Sequence, residues 1–146
     1  MRQYIGEGIL EIPASWYNSS VNIFTAEEPG RAGPSITINR DRPRNGLTFS
    51  AYVSEQIARL KKQLQDFRIE EQSEIEICGH PAQIIEFTWQ TQDGARMHQI
   101  LCTVQCEAVI INLVASSGHL MNSDLRRQML TILTSFRLMP QVSQPE

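Results

Sequence analysis

No stretch of this chain approaches the ~18 consecutive apolar residues that a membrane-spanning helix needs, so direct membrane insertion is not expected. An excess of basic charge is also lacking. Thirteen Lys and Arg stand against 16 Asp and Glu, a net charge of −3, and no basic stripe is present to neutralise nucleic-acid phosphates. Arg40, Arg42 and Arg44 cluster, but Asp41 and Pro43 interrupt them, which reads as a solvated loop. Cysteine is scarce and odd in number. Cys78, Cys102 and Cys106 form no C-x-x-C pair, and Cys102 and Cys106 lie roughly 13 Å apart along one strand at ~3.3 Å per residue, so buried free thiols are expected. The opening Met1-Arg2-Gln3-Tyr4 has no apolar run of signal-peptide length, and a cytoplasmic protein is expected. Catalytic constellations are missing too: His80, His98 and His119 have no ligand-spaced partners, and there is no H-E-x-x-H, G-x-S-x-G, Walker loop or G-x-G-x-x-G. These absences predict no catalytic residue, no metal and no cofactor.

What remains is one α+β domain over residues 1–139, followed by a flexible tail over 140–146 rich in Pro, Gln and Ser. Short strands are expected at Ile9–Pro13, Val21–Thr25 and Ser35–Asn39. Thr48 caps a helix whose apolar stripe is Phe49, Tyr52, Val53, Ile57, Leu60 and Leu64. Phe67–Cys78 is a strand with Ile69, Ile75 and Ile77 on one side and Glu70, Gln72, Glu74 and Glu76 on the other, the mark of a wet face or guarded edge. A second helix runs over Ser123–Ser135, capped by Asn122 or Ser123. The sum is an antiparallel sheet of about six strands with two main helices.

The chain is organised around Pro81–Thr91, Ala95–Gln105 and Ala108–Ser116, three long strands joined at Asp93-Gly94 and Cys106-Glu107. Asp-Gly marks a two-residue type I′ turn, in which both central residues need φ > 0. Alternation then puts Ile85, Phe87, Trp89, Ile100, Cys102, Val104, Val109, Ile111 and Leu113 on an apolar core face. The opposite face carries Ile84, Glu86, Thr88, Met97, Gln99, Leu101, Thr103, Ile110, Asn112 and Val114. It is apolar, with amides and hydroxyls spaced through it.

Two helices are expected to leave much of this mixed face open, joined by Val21, Ile23, Ile36 and Ile38. An apolar area of that extent marks a partner site, unless the second helix or a homodimer contact covers it. Gln99, Asn112, Thr103 and Gln56 favour a partner, because a purely structural core avoids unpaired amides. A small-ligand or enzymatic pocket between helix and sheet is the remaining alternative.

The ordered set of Tyr4, Leu10-Glu11-Ile12-Pro13, Trp16, Ser20-Val21-Asn22-Ile23-Phe24, Ile38-Asn39-Arg40-Asp41, Tyr52-Val53 with Gln56, and Gly79-His80-Pro81-Ala82 resembles the Eag chaperones. These are effector-associated chaperones of bacterial type VI secretion, related to DcrB and to PsbP-like folds. The resemblance implies a curved PsbP-like sheet with a concave apolar face, and a cytoplasmic homodimer. It also implies a partner: the hydrophobic N-terminal segments of a PAAR/Rhs-type effector, shielded as transmembrane helices before loading onto the secretion spike. By motif the client-binding positions fall on Val21, Ile23, Ile36, Ile38, Gln56 and Gln99, with Leu101, Thr103, Ile110 and Asn112 added from the mixed face. The runner-up is a PsbP-like structural or regulatory dimer whose mixed face is only its seam.

Overall fold

The computed structural model describes residues 1–139; the tail expected over 140–146 lies outside the described residues. An N-terminal hairpin pairs β1 (Arg2–Ile5) with β2 (Gly8–Glu11) and stands apart from the main sheet. The strand at Arg2–Ile5 is not expected from the sequence pattern. The main sheet contains β3 (Asn22–Thr25), β4 (Ser35–Asp41), β5 (Arg68–Ile77), β6 (His80–Gln90), β7 (Arg96–Cys106) and β8 (Val109–Ser117) in the order β3-β4-β8-β7-β6-β5. All its pairings are antiparallel and the sheet is open. Two helices, α1 (Phe49–Gln63) and α2 (Ser123–Thr134), complete the α+β fold. Thr48 accepts the Ala51 N–H and Asn122 accepts the Leu125 N–H, so each helix starts on a side-chain cap. Among the described residues no helix is long and apolar enough to cross a membrane.

The helices take one face each. Met129 and Leu133 of α2 pack with Ile36, Ala82, Ile100, Cys102, Val104, Ile111, Leu113 and Ala115. On the other face Tyr52 and Val53 of α1 pack with Ile85, Phe87, Leu101 and Ile110. The expectation of a largely uncovered mixed face is thereby corrected: α1 occupies much of it.

One turn explains which strand was misread. Between β6 and β7 the register pairs Gln90 with Arg96 and Ile84 with Cys102. The loop is therefore one residue longer than a two-residue hairpin. Gly94 has φ +88, while Asp93 is not among the positive-φ residues. Asp93 instead accepts hydrogen bonds from the Thr91 hydroxyl and the Ala95 N–H. This matches the three-residue loop that closes on a left-handed glycine. A shift of one residue turns every side chain over. Ile84, Glu86 and Thr88 thus join Cys102 and Leu113, whereas Ile85, Phe87 and Trp89 lie beneath α1. A bulge between Ile69 and Glu71 does the same within β5, setting Ile69 opposite Phe87 and Ile75 opposite Ala82.

The face under α2 also holds a buried charge cluster. Glu86 accepts from Arg126 Nε at 2.8 and 3.0 Å and from His98 Nε2 at 2.7 Å. His98 Nδ1 accepts the Met121 N–H at 2.9 Å, so its proton sits on Nε2. Arg126 reaches Glu71 as well, at 2.7 Å. These bonds tie α2 and the loop before it to β5, β6 and β7.

Cys102 lies fully buried in the same core, and burial pushes its thiol up to about 11 from the ordinary 9.0. The folded state thus favours the protonated thiol. Its contribution to stability is complete below pH 9 and is lost as pH rises through about 11. Iodoacetamide at pH 8 should label exposed Cys78 and spare Cys102. In a Cys102→Ser variant part of the alkaline loss of stability between pH 9 and 11 should disappear; equal labelling of both thiols in folded protein would contradict the buried placement.

Candidate functional site

Because paired residues share a face, the register lays rows of side chains straight across the sheet on the α1 side. One row reads Ile23, Thr37, Val114, Leu101, Ile85 and Gln72 from edge to edge. Exposure along it shows where α1 sits. Ile85 is 0% exposed and Leu101 5%, Val114 and Thr37 are half-buried, and Ile23 is 66% exposed. The row emerges from under α1 at β8 and runs uncovered to β3. Strands are ~4.8 Å apart, so β8 to β3 spans about 10 Å. That is the separation at which a second helix packs beside a first.

The next row is polar: Asn39, Asn112, Thr103, Gln83 and Glu74. Its centre carries the amides that the sequence offered to a partner, and α1 uses them. Gln56 Nε2 donates to Asn112 Oδ1 at 3.1 Å, and Gln56 Oε1 lies 3.2 Å from the Thr103 hydroxyl. Asn112 Nδ2 donates to Asn39 Oδ1 at 3.3 Å and to the Tyr52 hydroxyl at 3.2 Å. Tyr52 in turn donates to Asp41 at 2.8 Å. Burial pushes the Tyr52 phenol above its ordinary value; the Asn112 contact opposes this and Asp41 adds to it. No fully buried side-chain nitrogen or oxygen among the described residues is left without a partner.

A third row contains Thr25, Ser35, Ser116, Gln99 and Phe87. Gln99 Oε1 accepts from Trp89 Nε1 at 2.6 Å, while its Nε2 donates to the Ser116 hydroxyl at 2.9 Å. Gln56 and Gln99 are half-buried and flank the open strip, each with both ends of its amide engaged.

The ten expected client-binding residues therefore divide. Leu101, Thr103, Ile110 and Asn112 are buried beneath α1. Gln56 and Gln99 border the open strip. Ile23 lies on it, and strand alternation sets Val21, 55% exposed, on the same side. Ile36 and Ile38 pair with Ala115 and Leu113, so they face α2; Ile36 is buried and Ile38 packs on that core. The sequence could not separate these pairs, because Val21, Ile23, Ile36 and Ile38 alternate alike and only the β3–β4 register sets their sides.

Other apolar side chains are exposed in the first 24 residues, among them Tyr4, Ile9, Leu10, Trp16, Tyr17 and Phe24. The segment before β3 is docked by the arginines read as a loop cluster. Arg40 donates to the Ser20 carbonyl and Arg42 to the Asn18 carbonyl, each at 3.1 Å, and Arg42 lies 5.5 Å from the Tyr17 ring centre. Among the described residues no group of three or more His, Cys, Asp or Glu is arranged to hold a metal.

The DcrB family profile matches residues 7–135. The chain belongs to the DcrB family. The chain is also similar to Effector EagT6 of Pseudomonas aeruginosa, 31% identical over 112 residues, which are 76% of this chain and 78% of that one. The likeness to the Eag proteins read from the ordered motifs is thereby shown. In structure it is similar to PA94, a Pseudomonas aeruginosa protein of unknown function, with a TM-score of 0.80 at 24% identity over 97% of this chain and 98% of that one. LpqN of Mycobacterium tuberculosis, involved in cell envelope biogenesis, aligns with a TM-score of 0.54 at 14% identity over 79% of each chain. These two likenesses concern the fold alone.

Proposed function

We propose that this DcrB-family protein is a non-enzymatic chaperone for a type VI secretion effector. In this reading it holds an apolar helix of the client against the strip between α1 and β3. The observation that carries the reading is the row from Val114 through Thr37 to Ile23, which leaves the core and continues uncovered across about one helix width. The kinship with Effector EagT6 supports a secretion effector as the client. The N-terminal transmembrane segments of a PAAR/Rhs-type effector suit the strip, since their Leu and Val side chains gain about 25 cal/mol per Å² of apolar area buried. Gln56 and Gln99 border the strip as amides do between membrane helices. To reach a client, each would exchange a bond it now makes within the protein. We place the chaperone in the cytoplasm as a homodimer, with the exposed apolar N-terminal segment contributing to contacts between chains.

The test is co-expression, without detergent, with the N-terminal apolar segment of a PAAR-type effector. A soluble complex containing two copies of the chain by light scattering is expected. An insoluble segment, with a free dimer in which Val21 and Ile23 are protected, would replace this reading with that of a structural dimer.

A further inference from the structure

On the far side of α1 from the open strip, a groove of about 530 Å³ runs between the helix and the β5–β6 edge of the sheet. We propose that this groove docks a basic, amphipathic segment of a partner protein. Its helix wall presents Phe49, Val53 and Ile57, spaced at i, i+4 and i+8 and so aligned along one side of α1. Its sheet wall presents Gln83, Glu74 and Glu76. The volume falls within the range of clefts that enclose ligands.

Two independent observations set the chemistry of the occupant. The first is charge. Glu74 and Glu76 are the charged residues lining the groove, and neither joins an ion pair among the described residues. Elsewhere on the same strand Glu71 pairs with Arg126 and Glu70 accepts from the Thr88 hydroxyl. The bulge between Ile69 and Glu71 sets Glu71 on the α2 face and Glu74 and Glu76 on the α1 face. The second is Gln83. It is only 8% exposed, lines the groove, and makes no side-chain hydrogen bond among the described residues. Because no fully buried side-chain nitrogen or oxygen among the described residues is left unpaired, the Gln83 amide remains open to solvent, and an incoming peptide group would replace water on it.

The occupant thus needs apolar side chains for the Phe49–Val53–Ile57 wall, Lys or Arg for the two carboxylates, and a polar group for Gln83. A phosphate backbone or an anionic lipid surface carries the wrong sign. The proposal does not depend on what the strip across α1 binds, because the two surfaces share no lining residue.

A helical peptide of Leu and Lys, about 14 residues long, is a suitable probe, with a Leu/Glu peptide as its counterpart and phosphatidylglycerol vesicles as the lipid arm. The intact chain should bind the Leu/Lys peptide in a salt-sensitive manner and neither of the others. Glu74→Lys with Glu76→Lys should weaken that binding by about tenfold or more, and Glu74→Gln with Glu76→Gln by about threefold. Both positions are exposed on an edge strand, and circular dichroism confirms that each variant is folded. Reversal of Glu27 and Glu28, exposed elsewhere, is the control and should leave binding unchanged. Equal loss from the two reversals would reduce the effect to net charge and overturn the proposal. Equal binding of the Leu/Glu peptide, or capture by vesicles, would overturn it as well.

Discussion

Replacing Val21 and Ile23 together by Asp should abolish capture of an apolar client helix by the proposed strip and leave the protein folded. Both side chains are more than half exposed, so the carboxylates stay hydrated in the free protein. Surface substitutions of this kind cost about 0.5 kcal/mol or less, and Asp in an edge strand adds a few tenths more, so the melting temperature should fall by only a few degrees. In the proposed complex the same carboxylates would face an apolar helix, where an unpaired charge costs several kcal/mol. At 1.4 kcal/mol per tenfold, the loss of affinity should be about a thousandfold. Ile36→Asp is the contrasting variant. Ile36 lies buried on the α2 face, so that change should unfold the protein. If Val21→Asp with Ile23→Asp unfolds the chain, these residues belong to the core. If it binds normally, the open strip is not the client site.

Asn112→Ala should be the costliest single change on the α1 face. Asn112 is buried and bonds Gln56, Thr103, Asn39 and Tyr52 at 3.0–3.3 Å. Some of these partners can compensate: Tyr52 keeps Asp41, Thr103 can turn to Gln56, and half-buried Asn39 can reach water. The groups left unsatisfied cost about 1–3 kcal/mol each. A total near 3 kcal/mol follows, and the melting temperature of a chain this size should drop by about 6–12 °C. Gln56→Ala, at a half-buried position on the helix, should cost about 1 kcal/mol. Urea unfolding of the two variants measures both values. A loss below 1 kcal/mol for Asn112→Ala would mean that apolar contacts alone hold α1 on the sheet.

Much of this was legible in the sequence where the signal is local. Thr48 and Asn122 announce their helices, the apolar stripe of α1 is the one that packs, and β7 and β8 divide into faces as their alternation says. Register was not legible. An Asp-Gly pair is compatible with loops of two or three residues, and in the three-residue loop found here Asp93 accepts the Thr91 hydroxyl. The bulge in β5 is likewise silent in a strand of alternating Glu and Ile. The amides of the mixed face read as favouring an outside partner, but composition does not say whether an amide's partners lie within the chain or outside it. Here Gln56, Asn112 and Thr103 bond one another, and Gln99 bonds Trp89 and Ser116.

The β6–β7 loop has a consequence for how this gene can vary. Insertions and deletions between strands are usually judged by length, with long surface segments such as that between Glu27 and Pro34 absorbing them at small entropic cost. At Gln92–Gly94 parity matters more than length. Removing one residue would restore the two-residue hairpin and turn β6 over. Ile85 and Phe87 would then face α2, and Glu86 would lie beneath α1, far from Arg126 and His98. A single lost codon there is equivalent to inverting an entire strand. Point substitutions at exposed Gln92, by contrast, touch neither the register nor the core.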